Sequence, residues 1–251
     1  MAKLNTIVKY LDKELQVNKI KESRKNGLEF RAKKRDVKKI GFAVDGCMEA
    51  IKKAIALNCD MLVVHHGIKW IPDKYPTITK PRLAFLKKDN LSVYGVHLPL
   101  DAHHKYGNNR ILCNLLGLNK IKKFGRYHGF YIGYSGQFAK AKPLGAVVRM
   151  INNKLKTKSL VLPFGKKKVK TVGIVSGGGV SGLPEAVKKK LDLFITGEIP
   201  HGTYQRSKEW KINVVAAGHY ATETWGVRAL MPLLEKKFGV KTVFIDFPTG
   251  I

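Results

Sequence analysis

The chain has 251 residues, of which 44% are hydrophobic, enough for one large domain or two domains of moderate size. No run of about 18 apolar residues occurs, and residues 1–15 carry charges every few positions, which excludes a transmembrane helix and argues against a signal peptide. The three cysteines have no CxxC spacing and indicate reduced, packed thiols. Together these features predict a cytoplasmic protein with no membrane partner.

The net charge of the chain is +29, from 47 Lys and Arg against 18 Asp and Glu. From Ala102 to Pro184 there is no acidic residue, whereas sixteen are Lys or Arg. A field of this sign attracts polyanions, so it favours sequence-independent binding of single- or double-stranded DNA or RNA. A solvated Lys-rich surface is the alternative, although such surfaces usually pair Lys with Glu.

The first half alternates predicted helices and strands. In chain order they are an amphipathic helix over 3–15, a turn at 26–27, a strand over 28–32, a buried strand over 40–44, a helix capped by Asp45 and ending near Leu57, a strand over 61–64, a helix over 81–90, a strand ending at His97, and a helix over 109–116. This alternation predicts an α/β fold with a largely parallel or mixed sheet.

The second half repeats this pattern. VGIVSGGG (172–179), LDLFITGE (191–198) and NVVAAGHYATE (213–223) follow the same order as IGFAVDG (40–46), CDMLVVHH (59–66) and SVYGVHLPLD (92–101). Asp192 falls on Asp60, and a histidine precedes a carboxylate by four residues in both copies. We predict two pseudo-repeated α/β halves, 1–126 and 127–251, with mixed sheets flanked by helices. The alternative is the strand-turn-helix texture that unrelated α/β units share. Residues 130–162 fit the repeat poorly, and YIGYSG suggests a local hairpin.

His65 and His66 end a buried strand. Successive side chains on a strand point to opposite faces, so two adjacent imidazoles inside a regular strand could not reach one metal. At the carboxyl end, where the strand passes into a loop, they could serve two neighbouring ions. This edge of an α/β sheet is also where ligands bind.

Three further candidate ligands follow other predicted strands: Asp101, His219 and Glu223. The last two are four residues apart and can share one face of a helix beginning near Tyr220. Imidazole with carboxylate suits Zn, Fe, Mn, Co or Ni ions without selecting one. Carboxylates can also bridge two ions, as in centres that activate water.

Other polar residues lie near these positions. His97, Glu198 and His201 are candidates for orienting the ligands or for acid–base catalysis, with ordinary polar residues of a cleft as the alternative. The remaining histidines, His103, His104 and His128, are predicted on the surface or in loops. SGGGVSG (176–182) favours a sharp turn, with a phosphate cradle as the alternative.

Four blocks, VVHHGIKW, GVHLPLDAHHKYGNN, TGEIPHGTY and AAGHYATETWGVRAL, resemble the signature of the Nif-three-like family, also known as the type 2 homologue of GTP cyclohydrolase I. The resemblance extends from residue 25 through the last block. It implies two α/β halves with a dinuclear metal site in the crevice between them, and a toroidal homohexamer. The family's metal ligands fall on His65, His66, Asp101, His219 and Glu223, with Glu223 expected to bridge.

Two functions follow from these patterns. The first is a metal-dependent hydrolase with two divalent ions, of the GTP cyclohydrolase type 2 or phosphoesterase kind, acting on a small nucleotide-like substrate. The second is a nucleic-acid-binding ring in which the metal site is structural or auxiliary. Gly67-Ile68-Lys69-Trp70 departs from the proline and aromatic residue often found after the family's first block, which leaves the ligands intact but changes the expected substrate mouth.

Overall fold

A computed structural model describes residues 1–251, which divide into two compact units. Unit 1 comprises Met1–Leu100 and Gly226–Phe247, and unit 2 comprises Asp101–Trp225 and Pro248–Ile251. These units are defined by packing, and their limits differ from the halves 1–126 and 127–251 of the sequence repeat, which stay a prediction. None of the helices has both the length and the apolar character needed to cross a bilayer.

The secondary structure alternates strands and helices along most of the chain. In chain order the elements are β1 (Ala2–Lys3), α1 (Leu4–Glu14), β2 (Gly27–Phe30), β3 (Asp36–Val37), β4 (Lys39–Asp45), α2 (Met48–Ala56), β5 (Met61–His66), α3 (Pro76–Lys88), β6 (Ser92–Gly95), α4 (Leu98–Asp101), α5 (Asn108–Leu115), β7 (Asn119–Tyr127), β8 (Phe130–Pro143), α6 (Leu144–Leu155), β9 (Leu160–Pro163), β10 (Lys168–Val175), a 3₁₀ turn (Gly179–Gly182), α7 (Leu183–Lys188), β11 (Leu193–Thr196), α8 (Thr203–Glu209), β12 (Asn213–Ala216), α9 (His219–Phe238) and β13 (Lys241–Phe244). The predicted mixed α/β fold class is confirmed.

Unit 1 contains a five-stranded sheet in the order β13-β4-β5-β6-β2. The strands β13, β4, β5 and β6 are parallel neighbours, and β2 is antiparallel to β6. Residues 40–44 and 61–65 are buried, as expected of parallel strands covered on both faces. The sheet therefore brings the carboxyl ends of β4, β5 and β6 to one edge.

Unit 2 contains a six-stranded sheet in the order β7-β8-β10-β11-β12-β9. Its centre, β10-β11-β12, is parallel, and the two ends of the sheet are antiparallel additions. The local hairpin suggested by YIGYSG is confirmed, since β7 and β8 pair around a tight turn at His128 and Gly129. Both turn residues have positive φ, the requirement of a type I′ hairpin.

Each of the two parallel cores has an aspartate that makes equivalent hydrogen bonds to the backbone. In unit 1, Asp60 accepts hydrogen bonds from the backbone N–H groups of Lys38 and Lys39 at 2.7 and 3.1 Å. In unit 2, Asp192 accepts from those of Lys170 and Thr171 at 3.0 and 2.9 Å. Shared strand texture does not require this repeated contact, which supports the sequence repeat.

The hydrogen bonds that follow the third strand also correspond. Val96 N donates to Val64 O at 2.9 Å, and Ala217 N donates to Thr196 O at 2.8 Å. Counted from these bonds, His97 corresponds to Gly218, one residue before His219. The His-x-x-x-carboxylate pattern of unit 2 therefore begins one residue later, relative to these hydrogen bonds, than the pattern of unit 1.

Three local predictions need correction. Asp45 does not cap α2, because Cys47 is the N-cap and its sulfur accepts from Ala50 N at 3.4 Å. Helix α3 begins at Pro76 rather than near Pro81, since proline suits the first helical turn. Strand β5 extends beyond Val64 through both histidines, because Asp45 pairs with His66 in the sheet.

Candidate metal centre

Strand β5 delivers His65 and His66 to the carboxyl edge of the unit 1 sheet. The side chain of His65 is fully buried, and that of His66 is 13% exposed. Both belong to the strand, and yet their ring centroids lie 4.8 Å apart. Adjacent residues of the strand thus do not send their rings to opposite sides here, contrary to the expectation from a regular pleat.

Each of these rings is oriented through its Nδ1 atom. His65 Nδ1 lies 3.0 Å from the carbonyl oxygen of Val96, and His66 Nδ1 lies 2.7 Å from Asp45 Oδ1. A carbonyl or carboxylate oxygen can only accept, so Nδ1 carries the proton and, in the neutral ring, Nε2 carries the lone pair. Metal-ligating histidines are usually held in this way by a partner on the other nitrogen.

A third imidazole, His97, joins this pair. The ligand nitrogens of His65, His66 and His97 all lie within 4.8 Å of one another. The His97 Nδ1 atom contacts the Glu22 carboxylate, so this ring is oriented in the same way. The sequence indicates a supporting or acid–base role for His97, and its position in unit 1 also suits a direct ligand.

The segment that orients His97 is fixed at both ends. Glu22 also accepts from Leu98 N at 3.1 Å and from the Asn26 amide at 2.8 Å, and Asn26 Oδ1 accepts from His97 N at 2.8 Å. Burial raises the pKa of Glu22, but these hydrogen bonds and the charge of the His97 ring outweigh it and hold the pKa below the usual value. Glu22 is therefore ionised beside the ring.

The loop after β5 is held by Glu29, a buried carboxyl that sequence reasoning missed. Glu29 Oε2 accepts from the backbone N–H groups of Ile68 and Lys69 at 2.6 and 2.9 Å. Burial raises the pKa of Glu29 to about 7, although these bonds oppose the rise. An acidic residue on the buried face of β2 was the available signal, because such residues are rarely buried without a specific partner.

In unit 2, helix α9 begins at His219 and carries Glu223 one turn later. His219 Nε2 lies 3.1 Å from Glu223 Oε2, and His219 Nδ1 lies 3.1 Å from Glu198 Oε2. Burial lowers the pKa of His219, but hydrogen bonds and charge from Glu223 and then Glu198 raise it to about 9. Glu198, a candidate for orienting the ligands, thus contacts Nδ1 of His219, the nitrogen that faces away from Glu223.

Asp101 lies close to Glu223 in the same unit. Their ligand oxygens are within 4.8 Å of each other, and both side chains are buried. Asp101 Oδ1 accepts from the Ser176 hydroxyl at 3.0 Å and from the Asn108 amide at 2.9 Å. Glu223 is therefore near both Asp101 and His219.

The glycine-rich segment 176–182 supports this group as a turn. Gly177 has φ +58°, and a Cβ atom there would overlap the Glu223 carboxylate and approach His219 Nε2 to 2.9 Å. Its carbonyl oxygen accepts from Gly197 N and Glu198 N. This supports the sharp-turn interpretation and explains why a side chain is absent at residue 177.

The other predicted residues are dispersed. The His201 side chain is exposed, and no contact connects it to the ligands. His103 lies in a loop, one of the two predicted positions, but it is buried, and its Nδ1 accepts from Lys105 N and Tyr106 N. His104 and His128 are exposed loop residues, as predicted.

The donor set fits divalent transition ions. Unit 1 offers three imidazoles that present Nε2, and unit 2 offers one imidazole with the carboxylates of Asp101 and Glu223. Neutral imidazole and carboxylate are ligands for Zn, Fe, Mn, Co and Ni ions. The fold and these side chains define a mixed α/β protein with histidine and carboxylate clusters able to bind metal.

Comparison with known proteins agrees with this class. The family model described as Duf34/NIF3 (NGG1p interacting factor 3) matches residues 2–250, and the chain belongs to that family. It is 46% identical over 247 residues to a GTP cyclohydrolase 1 type 2 homolog of Pyrococcus horikoshii, covering 98% of both chains. A protein of the same name from Archaeoglobus fulgidus is 41% identical over 249 residues, with 99% of both chains covered.

A solved structure extends the similarity to the fold. Protein TTHA1606 from Thermus thermophilus has a TM-score of 0.91 and 36% identity to this chain, with all of both chains covered. The predicted resemblance to the Nif-three-like family is therefore confirmed along essentially the whole sequence.

Proposed function

We propose that this chain is a dinuclear metal-dependent hydrolase of nucleotide-like substrates. In this proposal His65, His66, Asp101, His219 and Glu223 would hold two divalent ions. The supporting observation is that the three proposed histidine ligands, His65, His66 and His219, all direct Nδ1 to an acceptor. In His65 and His66 this leaves Nε2 as the lone-pair nitrogen, and in His219 Nε2 lies beside the carboxylate of Glu223, another proposed ligand.

The residues around the ligands have assignable roles in such a reaction. When bound, a pair of divalent ions supplies Lewis acidity that lowers the pKa of water. Asp45 and Glu198 hold the rings of His66 and His219 in the ligating orientation through Nδ1. Glu198 is 45% exposed, so it can also exchange protons with a substrate or with solvent. His97 and His201 remain proposed acid–base groups.

The proposed substrate class is based on the names of similar proteins rather than on the metal-binding side chains. Relatives covering nearly the whole chain carry the name GTP cyclohydrolase 1 type 2 homolog. GTP is therefore the first substrate to test, and other nucleotides and phosphoesters follow because the same ligand set would suit their hydrolysis.

The experiment is hydrolysis of GTP and of a nucleotide panel by protein loaded with Zn, Mn, Fe, Co or Ni. Glu223→Gln should reduce both the metal content and the rate, because an amide is a poor bridging ligand. Glu209→Gln is the matched control, since that carboxylate is exposed on helix α8. Unchanged turnover in metal-loaded Glu223→Gln protein would contradict the proposal.

A second candidate function is sequence-independent nucleic-acid binding, which the edge strand β7 favours. Lys120, Lys122, Lys123 and Arg126 are cations of this strand, at the edge of the unit 2 sheet, and all four are exposed. Tyr127 and Tyr131, 38% and 42% exposed, accompany them on the β7–β8 hairpin. Cations that meet phosphates and aromatic rings that stack on bases are the features of single-strand binding surfaces.

A salt-titrated gel shift with single- and double-stranded DNA tests this function. Replacing Lys122, Lys123 and Arg126 by Gln should weaken binding. The slope of the logarithm of the binding constant against the logarithm of the salt concentration should become shallower by about 0.7 for each lost single-strand phosphate contact. The control replaces Lys53, Lys87 and Lys88, three exposed lysines of unit 1. Equal loss in both triple variants would assign the binding to general charge.

We further propose that six chains assemble into a ring, as the family resemblance implies. Light scattering coupled to gel filtration should then give six times the 28.1 kDa of one chain. A monomeric mass at micromolar concentration would contradict the ring.

A further inference from the structure

A buried carboxyl, that of Glu29, lies beside the ends of two strands that lead into the histidine cluster of unit 1. Its residue is 3% exposed, and its Oε1 atom has no hydrogen-bond partner. Its other oxygen, Oε2, accepts from Ile68 N and Lys69 N in the loop after β5. Burying a carboxyl with one oxygen unpaired costs free energy, so hydrophobic packing alone does not account for an acid at this position.

The Glu29 side chain crosses one strand of the sheet to reach that loop. Glu29 belongs to β2, whose neighbour in the sheet is β6, and β5 lies beyond β6. The pairing of β2 with β6 shifts register between Leu28 and Phe30, so Glu29 lies at an irregularity of this edge strand. Irregularities of this kind commonly redirect a side chain near a functional site. The carboxyl therefore connects β2 to the loop after β5 across β6.

Two glycines make room for the carboxyl. A Cβ atom at Gly67 or at Gly95 would overlap Glu29 Oε1, and at Gly67 the three nearest atoms all belong to Glu29. Neither glycine has a positive φ, so the backbone at both positions would accept an L side chain. At Gly67 the space taken by the Glu29 carboxyl, rather than the backbone conformation, therefore excludes a side chain.

The two glycines adjoin histidine residues. Gly67 directly follows His66, and Gly95 is two residues before His97. The centroids of these two rings lie 5.5 Å apart, so the strand ends that carry them are close together. The Glu29 carboxyl lies against both glycines and therefore beside both strand ends.

The third histidine of unit 1 is oriented from the same end of β6. Val96 follows Gly95, and its carbonyl oxygen lies 3.0 Å from His65 Nδ1. Val96 N donates to Val64 O at 2.9 Å, which connects this end of β6 to β5. A displacement of β6 at Gly95 would therefore also change the orientation of the His65 ring.

We propose that Glu29 is a positioning residue that sets the spacing of the His65, His66 and His97 rings. The ligand nitrogens of these rings all lie within 4.8 Å of one another. A metal–nitrogen bond of about 2.0–2.1 Å tolerates a deviation of about 0.2 Å, so a small displacement of one strand end weakens metal binding. The consequence for metal affinity rests on the proposed function and deepens it, whereas the ring spacing itself is a property of the metal-free chain.

Nuclear magnetic resonance of metal-free protein, isotope-labelled at histidine Cε1, tests the ring spacing directly. Glu29→Ala should shift the His65, His66 and His97 signals and leave unchanged that of His128, an exposed residue of unit 2. Glu29→Gln should restore the wild-type positions, because its amide oxygen can accept from the same backbone N–H groups. Unchanged signals of all three histidines in Glu29→Ala would overturn the proposal.

Titration with Co(II), followed by its visible absorption, measures the consequence for metal binding. Glu29→Ala should weaken cobalt binding about tenfold, the lower end for loss of a residue that orients ligands, because Glu29 holds the backbone rather than a ring. Glu29→Gln should bind cobalt with nearly wild-type affinity. An equal loss in Glu29→Gln would contradict positioning through these hydrogen bonds.

The matched control is Asp12→Ala, which removes another carboxylate that contacts β6. Asp12 lies on helix α1 and accepts from the Tyr94 hydroxyl at 2.9 Å. Asp12→Ala should lower the free energy of unfolding in urea and leave the cobalt affinity and spectrum unchanged. Equal losses of cobalt affinity in Asp12→Ala and Glu29→Ala would assign Glu29 a purely structural role and overturn the proposal.

A double-mutant cycle with Gly67 tests the contact itself. Gly67→Ala should displace the Glu29 carboxyl and weaken cobalt binding in the wild-type background. In the Glu29→Ala background the space is empty, so Gly67→Ala should have no further effect. Additive losses would contradict the contact. Gly67→Ala should also shift the same three histidine signals, which keeps the test available if Glu29→Ala folds poorly.

The outcomes separate this inference from the hydrolase proposal. Histidine signals and cobalt affinity that depend on Glu29, in protein that hydrolyses nothing, would refute the hydrolase and retain the positioning role. Nucleotide hydrolysis with unchanged histidine signals in Glu29→Ala would refute the positioning role and retain the hydrolase. If the wild type binds no cobalt, the metal centre is refuted, and the ring signals of the metal-free protein still decide the role of Glu29.

Discussion

Replacing Asp45 by Ala should weaken metal binding without unfolding the chain. Asp45 Oδ1 lies 2.7 Å from His66 Nδ1 and holds that ring with Nε2 presented as the ligand. Loss of such a partner usually costs about 10- to 100-fold in metal affinity. Because the Asp45 side chain is 35% exposed, solvent screens the contact and we expect the lower end, about tenfold or 1.4 kcal/mol.

The control for this prediction is Asp36→Ala. Asp36 is also 35% exposed, but its partner is Lys3, a surface cation 2.8 Å away that is 68% exposed. Competition titrations with a chromophoric zinc chelator should give a weaker constant for Asp45→Ala and a wild-type constant for Asp36→Ala. Equal constants for all three proteins would refute the assignment of Asp45 as the residue that orients His66.

Three further predictions concern pH, the glycine turn and the repeat. Burial lowers the pKa of His219, but the carboxylates of Glu223 and Glu198 raise it to about 9. Their contribution to the free energy of unfolding is therefore complete below pH 6.5, the usual pKa of histidine, and is lost as the pH rises through 9. Urea unfolding of chelator-treated protein should show this loss in the wild type but not in His219→Gln, and parallel profiles would contradict it. Gly177→Ala should weaken metal binding and cost more stability than Gly239→Ala, which has a similar φ of +63° but open space around a new Cβ; equal losses would refute the close approach of Gly177 to the ligands. Asp60→Ala and Asp192→Ala should each destabilise the chain by about 1–3 kcal/mol in denaturant titrations, because two backbone N–H groups lose a charged acceptor that water replaces only in part. A negligible cost in only one of the two variants would contradict the equivalent roles.

The positions of the candidate ligands in the secondary structure were largely predictable. Alternating apolar strands and helices define α/β units, and residues at the carboxyl ends of parallel strands fall on one edge. His65 and His66 at the end of β5, and His219 at the start of α9, lie close to the positions that this reasoning indicates. The prediction of a repeat rested partly on Asp60 and Asp192, which each directly precede a strand and accept from two backbone N–H groups in the structure.

The groups that orient the ligands were not predictable from the local pattern. Asp45 precedes a helix, which favours a capping role, but a short carboxylate can instead cross to the neighbouring strand, and His66 is its partner. Glu22 lies 75 residues from His97 along the chain, and no periodicity connects them. Such contacts depend on tertiary packing, which sequence spacing does not encode.

The number of bound metal ions tests the central claim most directly. Protein purified without chelator and measured by inductively coupled plasma mass spectrometry should contain two divalent ions per chain, reduced in His65→Ala and in Glu223→Gln. No bound metal after exposure to Zn, Mn, Fe, Co and Ni, or two ions retained undiminished by both variants, would contradict a dinuclear centre built from these side chains.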